Sequence, residues 1–176
     1  DASAAGEEPA ATTKGEGFLA FFLGRWRETL RLTVEHVRLT ALAVLLASLL
    51  AIPLGIWITQ HLLAQKLCLG AAGVVQTIPS LALLVFMITV PGLGLSERSA
   101  IVALFAYAVL PVLRNTFTGV DGVDPDLIDA AKGMGLTRRQ VLLRIQLPLA
   151  TRTIMAGIRT ATVISIGFAT LAAFIG

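Results

Sequence analysis

An enzyme working inside a membrane needs a nucleophile beside a base, paired carboxylates or a set of metal ligands at depth. The apolar runs of this sequence hold none of these. Cys68 is the one cysteine and lies in an apolar run, so the sequence supplies neither a disulfide framework nor a cysteine metal site. His36 and His61 stand apart from each other and from any carboxylate at ligand spacing. No Gly-x-x-x-x-Gly-Lys-Ser/Thr phosphate loop occurs, so this chain is not expected to hydrolyse ATP or to hold a cofactor of its own. The residues that remain are Arg159, a lone charge inside an apolar run, and a basic segment between Asp124 and Pro148. The chemistry they predict is mechanical and electrostatic, not catalytic.

The basic segment carries its own folding instructions. Asp124 precedes Pro125, placing a side-chain acceptor at N-cap and a residue without an N–H at the first helical position, which predicts a short helix. Gly133 and Gly135 end it. Thr137-Arg138-Arg139-Gln140 then reads as a capping box opening a second short helix, which Pro148 either closes or follows with the next one. Leu127, Ile128, Ala131, Leu142 and Ile145 gather on one side of this pair, with Lys132, Arg138, Arg139 and Arg144 elsewhere. Such an elbow either docks in another protein's groove or is a solvated connection between two membrane helices.

Arg159 lies about 16 Å beyond Pro148 at helical rise. A charge near the bilayer centre costs about 2.5–3.5 kcal/mol on insertion scales, so Arg159 is expected to face protein or water. No acid lies at depth to pair with it. Its candidate partners are carbonyls freed by Pro79 or Pro111, the side chains of Gln76, Thr77 or Ser165, water, or a residue of another segment or subunit. It is either a structural anchor or a group on a solute path. The same run carries Ala156, Gly157, Thr160, Ala161, Thr162, Ser165, Gly167, Ala169 and Thr170, small residues that let helices pack closely in lipid or line a narrow conduit.

The elements that must position these residues follow from composition. A chain of 176 residues with 56% hydrophobic content has more apolar surface than a soluble domain of that size buries, which places it in a bilayer. Its net charge of +3 is small and its basic residues are not interleaved with aromatics, so nucleic acid is not an expected partner. Residues 1–17 read as a disordered tail. Residues 18–38 alternate aromatic and aliphatic with charged side chains and predict an amphipathic helix lying at the interface. Spans are expected at about 39–59, 67–90, 99–118 and 149–176, with Pro79 kinking the second and the basic loop at 121–148. Basic residues place that loop in the cytoplasm and the N-terminus outside, although Lys14, Arg25, Arg27, Arg31 and Arg38 then break the positive-inside rule.

The loop also resembles a known pattern. Asp129-Ala130-Ala131, three residues, Gly135, nine residues and Ile145-Gln146-Leu147-Pro148 are similar to the EAA loop of ABC importer permeases, with Asp in place of Glu. Val75-Gln76-Thr77-Ile78-Pro79-Ser80, Leu110-Pro111-Val112-Leu113-Arg114-Asn115-Thr116 and Gly157-Ile158-Arg159-Thr160-Ala161-Thr162 resemble the osmoprotectant group, the permeases for glycine betaine, carnitine and choline within the methionine-importer-like type I family. The likeness runs from about residue 28 to the end.

What the resemblance implies is an all-α membrane protein with a type I permease core: four spanning helices, the N-terminal amphipathic helix and a cytoplasmic coupling helix pair. It implies a multi-pass subunit of the cytoplasmic membrane whose partners are a separate ATPase carrying ATP and Mg, an extracytoplasmic binding protein and a second permease copy, identical or not. Asp129, Ala130, Ala131, Gly135, Ile145, Leu147 and Pro148 are expected to couple to the ATPase. Gln76, Thr77, Pro79, Ser80, Arg159, Thr160, Thr162 and Ser165 are expected along the translocation path. The family's chain continues past Gly176 into a last spanning helix, so a longer polypeptide is expected. The competing readings are a permease for an amino acid or alkyl sulfonate, and a passive channel or membrane scaffold.

Overall fold

A computed structural model describes residues 24–94 and 96–172, with side chains through residue 170. The expected tail, the start of the expected interfacial helix, Leu95 and residues 173–176 lie outside the described residues. Among the described residues the chain is helical throughout, without a strand. The helices are α1 (Trp26–Ile58), α2 (Leu62–Thr77), α3 (Ser80–Thr89), α4 (Glu97–Asp121), α5 (Pro125–Gly133), α6 (Arg138–Val141) and α7 (Leu147–Ala172). A π turn, Leu142–Gln146, joins α6 to α7.

Residues up to Val34 and residues from Glu35 onward form two units. In the first, the described side chains are exposed, the Arg27 guanidinium sits 5.6 Å from the Trp26 ring centroid, and Thr33 donates back to the Thr29 carbonyl. The rest of this section concerns the second.

Close approach of small residues holds the second unit together. Along α1, Thr40, Ala43, Val44, Ala47, Ala51, Gly55 and Ile58 are buried at intervals of three and four, so one narrow face meets the bundle while leucines cover the other. A methyl group on Gly55 would stand 2.8 Å from Thr116 Cβ, so only glycine permits this crossing of α1 and α4. Helices α4 and α7 run antiparallel and pack most extensively. Gly119 lies against Ala150 and Thr153, while Gly157 lies against Asn115 and the Pro111 carbonyl, 2.8 Å from where its own Cβ would be.

Three apolar clusters run along this unit. Val120, Ala150 and Ile154 form one beneath the elbow, with Ile52 and Ile56 against them. Val44, Ala47, Ala51, Ala108, Val112 and Ala161 form the middle. Ala43, Leu83, Leu84, Leu104, Tyr107 and Phe168 form the far end.

Helices α1, α4 and the run 138–170 are long and apolar enough to cross a membrane. Where a kinked span over 67–90 is expected, the chain instead breaks: α2 and α3 meet at 96° around Ile78-Pro79 and make a fourth crossing only if taken as one bent pair. Proline forces the preceding residue out of the helical region, and Ile78 adopts ψ 127, so the second run cannot continue in line with the first.

Candidate functional site

The elbow folds as its caps dictate. The Asp126 amide donates to Asp124 Oδ1 at 2.9 Å with Pro125 at the first position of α5. At the other end Gly133 is still helical, and Gly135 takes the left-handed conformation at φ 84. The Leu136 amide then reaches the Ala131 carbonyl at 3.2 Å and the Gly135 amide the Lys132 carbonyl at 2.9 Å, a Schellman stop that needs glycine there. The capping box is present: the Thr137 amide donates to Gln140 Oε1 at 2.8 Å and the Gln140 amide to Thr137 Oγ1 at 3.4 Å.

The elbow's apolar residues divide between two sides. Ala131 and Val141 are buried and Ile128, Leu142 and Ile145 half-buried, whereas Leu127, Met134 and Leu143 are exposed, Met134 at 73%. Asp129 is exposed and holds Lys132 Nζ at 2.9 Å, one turn along the same helix, and Ala130 beside it is exposed. Pro148 begins a helix and closes none. It is the second residue of α7; with no N–H of its own, it leaves the ladder to a π turn in which the Leu147 amide reaches the Leu142 carbonyl. The elbow therefore passes into α7 without a loop, and Gln146 Nε2 ties the junction to the Val120 carbonyl of α4 at 3.2 Å. The backbone is helical without interruption from α6 through the π turn into α7.

A second node joins α2, α3 and α4. Pro111 has no N–H, so the Tyr107 carbonyl four residues earlier loses its helical partner. Gln76 Nε2 donates to that carbonyl at 3.2 Å. Tyr107 Oη in turn donates to the Ile78 carbonyl, which the break between α2 and α3 leaves outside a helix, and its ring stacks at 5.2 Å on Phe168 of α7. Asn115 Nδ2 takes the Pro111 carbonyl itself at 2.8 Å. Two interruptions of backbone bonding thus satisfy each other across helices. Gln76 is among the residues expected along the translocation path; Tyr107 is not. The usable signal was a proline, which names the carbonyl one turn back as an acceptor in need of a donor.

The remaining residues expected along a path differ in exposure. Thr77, Pro79, Arg159 and Thr160 are exposed, Ser80 and Thr162 half-buried, and Ser165 is buried with its hydroxyl unpartnered. Thr77, Thr160 and Thr162 donate to carbonyls of their own helices, which satisfies the hydroxyls without linking helices. Arg159 meets neither the Pro111 carbonyl, taken by Asn115, nor Gln76, engaged with Tyr107. It has no hydrogen bond or ion pair among the described residues. No group of potential metal ligands occurs among the described residues.

Comparison with known proteins agrees with this architecture. Residues 51–176 match the family described as the binding-protein-dependent transport system inner membrane component. The choline transport system permease protein OpuBB of Bacillus subtilis is 48% identical over 149 residues, covering 85% of this chain and 68% of that protein. The glycine betaine/carnitine/choline transport system permease protein OpuCB of the same organism is 47% identical over the same shares. The osmoprotectant import permease protein OsmW of Salmonella typhimurium is 43% identical over 82% of this chain and 69% of that protein. With apolar helices of spanning length and an elbow fused to the last of them, this chain belongs to the binding-protein-dependent transport system inner membrane components, as a multi-pass permease.

Proposed function

We propose that this chain is the membrane subunit of an ATP-driven importer for a quaternary ammonium compatible solute, glycine betaine, choline or carnitine, in the cytoplasmic membrane. A separate ATPase, which holds ATP and Mg, grips the elbow. An extracytoplasmic binding protein presents the solute, and two permease copies enclose the path. The observation that carries the reading is the capped elbow at the base of α4 and α7, with Leu127, Met134 and Leu143 presented outward and no loop between it and α7. A rigid object of that kind converts a partner's movement into displacement of a spanning helix, the bistable element alternating access requires. Its solute class follows from the relatives, three of which are named for choline, for glycine betaine, carnitine and choline, and for osmoprotectants.

The test is uptake of labelled betaine, choline and carnitine by cells lacking their own importers and supplied with the full-length permease, its ATPase and its binding protein. Uptake of at least one solute is expected. Gly135→Arg is expected to insert yet lose co-purification with the ATPase, because a side chain is strained at φ 84 and the stop between α5 and α6 is disturbed. An unaltered full-length chain that never retains an ATPase overturns the reading.

A further inference from the structure

Three glycines join α1, α4 and α7 into one block. Gly55 lets α1 onto Thr116, Gly119 lets α4 onto Ala150 and Thr153, and Gly157 closes the same pair at Asn115, where a Cβ would stand 2.6 Å away. Gln146 adds its tie to the Val120 carbonyl, and the elbow runs into α7 without a loop. Helices α2 and α3 meet that block differently. Gly70 and Gly73 of α2 have open space where a Cβ would stand, and α2 has no fully buried residue. Half-buried side chains such as Cys68 and Ala72 make its contact, and α3 adds Leu83 and Leu84. Among the described residues, the hydrogen bonds that cross to the block are Gln76 to the Tyr107 carbonyl and Tyr107 to the Ile78 carbonyl. Each end of the α2–α3 unit is a turn: 59–61 on the α1 side, and after α3 one in which Gly92 and Gly94 take positive φ, at 91 and 55.

The break inside this unit lies deep. Tyr107 stands about 15 Å along α4 from Glu97 and about 21 Å from Asp121, so the non-helical backbone it reaches at Ile78-Pro79 is near mid-depth. Such backbone is tolerated against water or protein and excluded from lipid, which sets the break toward the inside of the assembly. Helix α3, at 96° to α2, packs at the end of the bundle away from the elbow. A partner that moves the elbow moves the block with it, and α2–α3 follows only as far as the node holds. We propose that α2 and α3 form a flap that swings against the α1–α4–α7 block and gates the translocation path at the end away from the elbow, with Tyr107 as its latch. Hydrogen bonds between membrane helices are weak enough to be made and broken in every cycle. Phe168 holds the Tyr107 ring at 5.2 Å from within the block, which keeps the hydroxyl aimed at Ile78 while the flap is shut. The path and the motor that drives the block rest on the importer reading; the division into block and flap rests on the packing.

The experiment uses the full-length permease with its ATPase and binding protein in lipid nanodiscs, in a Cys68→Ser background, diluted with unlabelled permease so that distances within one copy are read. Spin labels at Phe86→Cys on α3 and Val102→Cys on α4 report the flap, and labels at Leu49→Cys on α1 and Val102→Cys report the block. Between the nucleotide-free and vanadate-trapped complexes, the flap pair is expected to shift by about 5 Å or more and the block pair by less than about 2 Å. Equal shifts, or none, in a complex that imports solute overturn the flap. Tyr107→Phe keeps the ring and removes the latch. Without nucleotide it is expected to raise the population at the released distance about threefold, the effect of one such bond on a two-state balance. A merely structural role would lower stability and leave that distribution in place, and an unchanged distribution in Tyr107→Phe overturns the latch whether or not the complex transports. Uptake by the unaltered, unlabelled complex is followed separately. Its absence overturns the importer reading, and the nucleotide-free comparison still decides the flap.

Discussion

The elbow and the node around Tyr107 are both interruptions of helix, and they are held in opposite ways. In the elbow the caps join residues within about one turn, Asp124 to Asp126, Thr137 to Gln140 and Leu136 back to Ala131, and Gln146 at its end makes the tie to another helix. At the node, the bonds join residues about thirty apart in sequence, Gln76 to Tyr107 and Tyr107 to Ile78. Local caps survive when a whole segment is displaced, because donor and acceptor travel together. A node spanning three helices holds only while those helices keep their places. The elbow is therefore built to be moved as a unit, and the node to register α2 and α3 against α4. Beside these bonds, α2 has no fully buried residue and sets Ala64, Cys68, Leu69 and Ala72 half-buried against the core, while α3 buries Leu83 and Leu84.

Removing one node bond tests this contrast with the largest effect. Tyr107→Phe keeps the ring on Phe168 and leaves the Ile78 carbonyl without its donor. The bond is part-buried and Ile78 exposed, so the loss falls toward the lower end of the about 1–3 kcal/mol of an unsatisfied buried acceptor, while hydrogen bonds between membrane helices average only about 0.6 kcal/mol. A loss of about 1–2 kcal/mol is expected in reversible unfolding of the full-length permease in mixed micelles. Gln76→Leu is expected to cost somewhat less, and the double variant less than the sum, because both bonds meet at Tyr107. ATPase co-purification should be unchanged. Full additivity would show that the two bonds are independent and that no node exists.

The contrast also explains what the sequence could disclose. Asp124-Pro125, Gly135 and the Thr137–Gln140 box are local signals, and each cap was readable without knowing what the elbow touches. The π turn was not: Pro148 announces a missing N–H, but whether the chain stops or rewinds depends on Gln146 finding the Val120 carbonyl on another helix. Pro79 was read as a kink and is a 96° break, because Ile78 before it leaves the helical region at ψ 127. Arg159 was singled out as a charge inside a span, and neither freed carbonyl is its partner. Gln76 occupies the Tyr107 carbonyl freed by Pro111, and Tyr107 the Ile78 carbonyl at the Pro79 break.

A smaller effect separates two glycines within the elbow. Gly133 and Gly135 both have open space where a Cβ would stand, and only Gly135 has positive φ. Gly135→Ala is expected to destabilise by about 1 kcal/mol, since a side chain is strained in the left-handed region. Gly133→Ala is expected to stabilise by about 0.4–1 kcal/mol by restricting the unfolded chain and improving α5. Opposite signs in the same unfolding assay are the expected result. Equal signs would mean that the elbow does not hold the Schellman stop in the membrane.

The smallest expected effect on stability is also the most informative about coupling. Asp129 pairs with Lys132 at 2.9 Å, with both side chains more than half exposed, and such a pair contributes at most a few tenths of a kcal/mol to the fold. Asp129→Ala should leave the unfolding midpoint within error of the unaltered permease. If the carboxylate exchanges Lys132 for a cation on the ATPase, the same variant should lose most solute-stimulated ATP hydrolysis, and Asp129→Glu, which keeps the charge on a longer arm, should keep part of it. Raising salt should weaken the contact in the unaltered complex and change little in Asp129→Ala. Unchanged hydrolysis in Asp129→Ala would move the coupling contact onto Leu127, Met134 and Leu143, whose exposed apolar surface needs no charge to be gripped.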